Sequence, residues 1–365
     1  MADDARMDVD YAEGADNAAD VPPPPEVFGA VPTAAAWQQE QQGIINNLEV
    51  DLSREDNDSA LGSDISSMTT SMRSANIEFR YEHGRRYQAS NSMYHLPNDI
   101  QEMDRLELQH LIWLEIAGGR LYLAPLDQIN VTHALDVGTG TGNWAIEFAS
   151  QHPQVKVLGT DLSPIQPDYV PTNCDFLIDD ATQEWSFHQR FDYIHSRALT
   201  MGIADWDRFV DQAYNYLQPG GFLELQEFHF PLEGLDDSVK EGSALWTWGR
   251  KILVVCGTLG IDAAASLKHD ERMRQRGFQE VNVRHLLCPL GPWAKGQRQK
   301  RLGWMARKDL YDGIDGISKK LFLMAGDSEE EVDALLARCK EEIMDPTIHV
   351  CMPLDVIWGQ RPFNS

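Results

Sequence analysis

Cysteine is scarce. There are five in 365 residues, Cys174, Cys256, Cys288, Cys339 and Cys351, with no C-x-x-C spacing among them. That excludes a disulfide framework or a cysteine zinc site as the organising device and suits reduced thiols inside a cell. The eleven histidines fall into no H-E-x-x-H or similar pattern, so no metal is expected. No run of 18 apolar residues is present, which leaves no helical membrane span. The start, Met1-Ala-Asp-Asp, is acidic and has no apolar stretch of the kind a signal peptide needs. The expected location is cytoplasmic, nuclear or both, and not secreted. Positive charge is also short: 31 Lys and Arg face 57 Asp and Glu, a formal net charge of −26. Such a chain repels phosphate overall, and direct nucleic-acid binding is not expected.

The acid excess is concentrated at one end. Residues 1–75 hold fifteen acidic side chains against Arg6, Arg54 and Arg73, together with Pro22 to Pro25 and a Ser/Thr-rich run from Ser63 to Ser74. Little apolar surface is available there to offset chain entropy, so this segment is expected to be a disordered acidic tail. Trp37, Ile44, Ile45 and Leu48 are spaced for a short transient helix. The proline run reads as a stiff linker or as a polyproline ligand. The remaining 290 or so residues are ample for one large domain.

Within that domain the stretch His133-Ala-Leu-Asp-Val-Gly-Thr-Gly-Thr-Gly-Asn143 carries the most information. A short apolar run meets Asp136, glycine falls at Gly138, Gly140 and Gly142, and residues 144–149 have a helical pattern. A strand, a glycine turn and a helix start let the backbone come close to a nucleotide-like ligand, because glycine has no Cβ. The dinucleotide fingerprint G-x-G-x-x-G would place its third glycine at position 143, which is Asn143. The spacing is G-x-G-x-G instead, and it resembles motif I of the class I S-adenosylmethionine-dependent methyltransferases. Asn143, and the lack of a credible hydride-transfer site, argue against an NAD-dependent oxidoreductase.

The strands that follow keep to the same pattern. Residues 155–160 are β-prone and end at Asp161-Leu162; residues 174–178 end at Asp179-Asp180-Ala181; residues 191–195 end at His195 and Arg197. In a parallel sheet, ligands bind at the carboxyl ends of strands, and a carboxylate there can accept both hydroxyl protons of a ribose. The resemblance implies that Asp161 holds the ribose and that Asp180-Ala181, or Asp179, meets the adenine amino group. Trp206, Phe209, Val210, Ala213, Tyr214 and Leu217 share one helical face, and Gln218-Pro-Gly-Gly221 breaks that helix before a fifth strand at residues 222–228. Alternating strands and helices mean an α/β, doubly wound, Rossmann-like sheet. A sixth strand is expected at residues 281–287 and a last one from residue 348 to 358, interrupted at Pro353; the methyltransferase resemblance implies that they form an antiparallel hairpin.

A narrower resemblance rests on Gly84-Arg-Arg-Tyr87, Tyr94-His-Leu-Pro-Asn-Asp99, Glu102-Met-Asp-Arg-Leu-Glu-Leu108, Asp161-Leu-Ser-Pro-Ile-Gln-Pro167, Trp185 and Phe191-Asp-Tyr-Ile-His-Ser-Arg197. Over residues 78–362 their order is similar to the fungal LaeA-like methyltransferases, a family tied to secondary metabolism and its regulation. The resemblance implies a seven-stranded class I methyltransferase sheet over residues 131–365, a helical lid segment over 76–130, and a helical substrate insert at about 295–344. It implies S-adenosylmethionine as cofactor, bound by Asp136, Gly138, Thr139, Gly140, Gly142, Asp161, Leu162, Asp179, Asp180 and Ala181. Arg197 is suited to a carboxylate of cofactor or substrate. Tyr87 and Tyr94 are candidates for a lid that contacts the sulfonium. For proton removal the candidates are His195, His229 and Glu227. The basic group Lys295, Arg298, Lys300, Arg301, Arg307 and Lys308 reads as a solvated helix face with Leu302, Met305, Ala306 and Leu310 turned inward, or as an import or docking patch. Two functions stay open. One is a methyltransferase acting at oxygen or nitrogen of a fungal secondary metabolite. The other is a nuclear regulator that works through protein partners, with protein methylation or none.

Overall fold

A computed structural model describes residues 48–50, 79–88 and 94–364. The domain opens on a hairpin, β1 (Phe79–Glu82) and β2 (Arg85–Gln88), followed by helix α1 (Ile100–Ile116). Then come β3 (His133–Val137), α2 (Asn143–Gln151), β4 (Lys156–Asp161), β5 (Cys174–Ile178), β6 (Phe191–Arg197), α3 (Trp206–Tyr216) and β7 (Leu217–Phe228). The two-residue β8 (Glu233–Gly234), α4 (Ala244–Thr258), α5 (His269–Arg276) and β9 (Gln279–Pro289) follow. Two long helices, α6 (Gln297–Met324) and α7 (Glu329–Met344), lead into the last strand, β10 (Val350–Gln360).

Seven strands form one row in the order β5-β4-β3-β6-β7-β10-β9, and β8 adds two residues beside β10. The first five pair in parallel; β10 runs antiparallel between β7 and β9. This is the seven-stranded, mostly parallel α/β sheet expected. The strands read as apolar runs because both faces are covered. Alternate residues serve opposite layers. Ala134, Tyr193, Phe222 and Val356 join the core beneath α1, α2, α4, α6 and α7. Leu135, Ile194, Leu223 and Ile357 join the core beneath α3 and α5.

Local chemistry sets the ends of the helices. Asp205 caps α3 by accepting from Arg208 N, and the face named from the sequence is the buried one. Helix α5 stops at Gly277, whose φ of 105° few other residues adopt. Ser328 and Glu331 form a capping box on α7, and Glu342 near its other end accepts from Ala244 N and Leu245 N at the start of α4. On α6, Leu302, Met305, Ala306 and Leu310 are buried as expected. Arg298 and Arg301 reach across to Glu115 of α1, and Lys308 pairs with Asp312. Among the described residues no helix is long and apolar enough to cross a membrane.

Two expectations need correction. The 76–130 segment is not helical throughout, because residues 79–88 form the β1–β2 hairpin, turned at His83 and Gly84, both with positive φ. Pro353 does not interrupt the last strand. Its carbonyl accepts from His229 N, so its donor-less nitrogen faces the same edge, in the gap where β7 has ended and β8 has not begun. The acidic tail lies outside the described residues, including Trp37, the proline run and Ser63 to Ser74, with one exception. Leu48 and Val50 pack near Trp293 and Cys351, Val50 bridges to Ala294, and Lys295 N donates to Glu49 O.

Helix α6 is seated through Gly303, where an added Cβ would lie 1.9 Å from the carbonyl oxygen of Gly291. A backbone atom cannot swing aside, so Gly303→Ala must displace the helix or the loop after β9. We expect a loss of about 1–3 kcal/mol of stability, read as a lower denaturant midpoint. An unchanged midpoint would show that this approach is not tight.

Candidate functional site

The glycine turn leaves β3 with left-handed backbone at Gly138, Gly140 and Gly142, whose φ values are 70°, 59° and 83°. Side chains are disfavoured there, which explains the spacing. Thr139 N donates to Thr160 O and Gly140 N donates to Asp161 Oδ2, both at 2.8 Å, so the turn is fastened to the end of β4. Gly142 has a different task from the one expected. A Cβ on it would lie 2.5 Å from the Phe176 ring, and it caps the start of α2 without lining the cavity beside the turn.

That cavity is about 190 Å³, far more than the ~15 Å³ that one water needs. At one end lie Asp136, residues 138–141, Asp161, Leu162, residues 179–182, His195 and Arg197. At the other end the walls are Phe228, Phe230, Leu290, Leu310, Ile317 and Met352, with Arg105 and Asp309 among them. Helix α1 roofs the middle: Leu106 Cδ1 is 3.4 Å from where a Cβ of Gly140 would stand.

The acids at the strand ends are held firmly. Asp136 Oδ1 is 2.7 Å from His195 Nδ1, and its Oδ2 accepts from Thr139 Oγ1 at 2.6 Å. The His195 ring is fully buried and stacks on Trp144, with centroids 3.8 Å apart. Its Nε2 has no hydrogen-bond partner among the described residues. In register, His195 stands between Asp136 on β3 and Glu224 on β7. Burial pushes the Asp161 carboxyl up to about 6, although Gly140 N and Ser163 N both donate to it. Asp179 accepts from Asp180 N, and Asp180 Oδ1 accepts from Thr182 N and Oγ1.

Arg197, at the end of β6, donates to His110 Nδ1 at 3.0 Å, and His110 Nε2 is 2.8 Å from Glu147. Burial pulls the guanidinium down to about 10. No carboxylate among the described residues lies within ion-pair distance of it, although the charges of Asp136 and Glu147 oppose that fall, and the side chain lines the cavity.

Of the three candidate bases, His195 alone reaches the cavity. Phe228 faces it, and side chains alternate along a strand, so Glu227 and, just past the strand's end, His229 turn away. Glu227 is fully buried; its Oε2 accepts from Thr200 N and Oγ1 at 2.8 Å, and burial pushes it up to about 8. His229 Nε2 is 3.5 Å from Asp355. Of the two tyrosines, Tyr94 lines the cavity. Tyr87 does not, because β2 turns it under Lys320, whose Nζ sits 4.2 Å from the ring centroid. Sequence reasoning missed Asp309. Its partner Arg105 lies 204 positions away, and no local pattern links the two.

A family model described as a methyltransferase domain matches residues 109–281. The methyltransferase pytC of Aspergillus terreus is 35% identical over 323 residues, covering 87% of this chain and 97% of that protein. The secondary metabolism regulator laeA of Aspergillus fumigatus is 29% identical over 293 residues, with 78% and 77% covered. The protein-methionine methyltransferase laeA of Emericella nidulans is 29% identical over 295 residues, with 79% and 78% covered.

Glu227 gives a pH prediction. Its folded pKa, about 8, stands above the ordinary 4.5, so between those values the folded protein keeps a proton that the unfolded chain releases. The stability from this group is complete below the lower value and is lost as pH rises through the upper one. Glu227→Gln keeps an acceptor for Thr200 and removes the titration. The melting temperature of the variant minus that of the native protein should therefore rise between about pH 5 and about pH 9. A flat difference would show that Glu227 titrates normally.

Proposed function

The chain belongs to the class I S-adenosylmethionine-dependent methyltransferases, and on that premise we propose that it methylates oxygen or nitrogen of a small fungal secondary metabolite. The observation that carries this reading is the cavity, which runs from the glycine turn into an apolar end beneath α6. Such a space takes a small molecule whole; a protein side chain would need only a channel. The relative pytC, alike over nearly its full length, supports the enzyme reading.

The residues present fit the cofactor. The left-handed glycines leave open backbone where a Cβ would intrude, and the unpaired Arg197 suits the carboxylate of its methionine end. On this reading Asp161 accepts from the ribose hydroxyls, since each of its oxygens keeps a lone pair beyond the one used by the backbone. Asp180 and Ala181, with Asp179 beside them, flank the adenine. Asp136 lines the same end of the cavity. It sets the His195 ring and the Thr139 turn.

S-adenosylmethionine, when bound, supplies a methyl group already activated on a sulfonium. An acceptor taking that group would have to lie in line with it and would give up a proton to a residue of this chain. The protein's work is therefore to align the acceptor and exclude water. Helices α1 and α6 close the cavity from above, and Tyr94, packed against Gly202, fills the gap beside them. His195 Nε2 is the proton acceptor in this scheme, with Asp136 holding the other ring nitrogen.

The second reading, a nuclear regulator acting through protein partners, is favoured by the two laeA relatives and by the acidic tail. Deletion of the gene separates the two readings. Loss of one methyl group from one compound supports the enzyme, and silencing of whole groups of metabolites supports the regulator.

Calorimetry tests the site directly. S-adenosylmethionine should bind, and NAD should not. Asp161→Ala should weaken S-adenosylmethionine at least about tenfold, roughly 1.4 kcal/mol, with the fold intact by circular dichroism. Tight NAD binding without S-adenosylmethionine binding would overturn the reading.

A further inference from the structure

A chain of alternating charges leads to the wall of the cavity, where its last two members, Arg105 and Asp309, line it. Asp99 pairs with Arg85 at 2.6 Å, Arg85 lies 3.9 Å from Glu102, Glu102 pairs with Arg105 at 2.6 Å, and Arg105 with Asp309 at 2.8 Å. Three acids thus share two bases, and both ends are acidic. The Asp99 end is satisfied, because it caps α1 and accepts from Glu102 N and Arg86 N, where the helix terminus favours negative charge. The Asp309 end has no such partner. Its Oδ1 takes Arg105 Nη1, while its Oδ2 makes no hydrogen bond among the described residues.

A second observation lies one helical turn from Arg105. Gln109 is 8% exposed, lines the same cavity and makes no hydrogen bond among the described residues. An amide that reaches the cavity without a protein partner can donate to or accept from a polar group of a bound molecule. The rest of this end is apolar. The ionisable groups around Asp309 are Arg105 and Glu102 from α1, Asp312 from its own helix, and Cys288 from β9. Burial there pushes Asp309 up to about 6, which leaves it mostly ionised at neutral pH.

Resting on the methyltransferase reading above, we propose that the acceptor is an apolar molecule carrying a basic nitrogen, and that Asp309 binds that nitrogen and selects for it. A protonated amine completes the alternation and gives Oδ2 its donor. A carboxylate would add a third buried acid beside Glu102 and Asp309, and a neutral apolar acceptor would leave Oδ2 and Gln109 unmatched. Phe228 and Phe230 line this end, and aromatic rings attract cations. The nitrogen serves here for recognition, whichever atom takes the methyl group.

The test uses three probes of one shape, naphthylmethylamine, naphthylmethanol and naphthoate, titrated into the full chain saturated with S-adenosylhomocysteine. The amine should bind at least about tenfold tighter than the alcohol, with naphthoate weakest, as expected for a desolvated charge pair. Asp309→Asn should abolish that preference, and Asp309→Glu should restore part of it. Glu102 still pairs with Arg105 in both variants, and unchanged S-adenosylhomocysteine affinity reports an intact fold. A preference for naphthoate, an amine preference that survives Asp309→Asn, or no binding by any probe overturns the proposal. If Asp309→Asn does not fold, the ranking of the three probes on the native chain decides. Failure to bind S-adenosylhomocysteine at all would instead sink the methyltransferase reading.

Discussion

Asp136 commits both carboxylate oxygens inside the protein, one to His195 on the neighbouring strand and one to Thr139 in the glycine turn. With 2% of its surface exposed, such a carboxylate is costly unless both oxygens are engaged. The pairing fixes the height of the turn above the sheet. The turn in turn fastens Asp161 through Gly140 N, and the stacked Trp144 orients the start of α2. Its indole Nε1 donates to Leu121 O, tying the loop before β3 to the same point. The ligand-facing groups at this end of the cavity take their positions from that one buried pair.

Electrostatics shape the opposite end in another way. The chain carries a net charge of −26, yet the cavity wall is built from interleaved acids and bases. Such ladders do little for stability on a surface, but inside a wall they set what charge a ligand can bring. Arg197 and Asp309, one positive and one negative, both line this single cavity.

The sheet was legible because parallel strands leave a local record, an apolar run that ends in an acid or a glycine turn. Residues 133–143, 155–161 and 174–181 each carried that record whole. What was hidden depended on distance or on alternation. Glu227 and His229 looked suitable for catalysis, yet each is one step along the chain from Phe228, and that step reverses the face. Tyr87 lies on a strand and not on the helix expected, so the lid assigned to it fell elsewhere. Gly142 belongs to the motif but answers to the Phe176 ring of β5, which sits close in space only after folding. Asp309 could not be found at all, because its significance lies in a pairing with Arg105 that only the packing of α6 on α1 creates.

Helices α6 and α7 are inserted between β9 and β10, which are already paired along nearly their whole length. The ends of the insert are thus brought together by the sheet and not by the insert itself. Closing a longer loop between fixed ends costs little, about 0.6 kcal/mol for each doubling. The insert can therefore lengthen, shorten or change its inward stripe of Ala306, Asp309, Leu310 and Ile317 while the glycine turn stays as it is. New side chains along that one helix would reshape its end of the cavity without any change in the strands beneath the glycine turn.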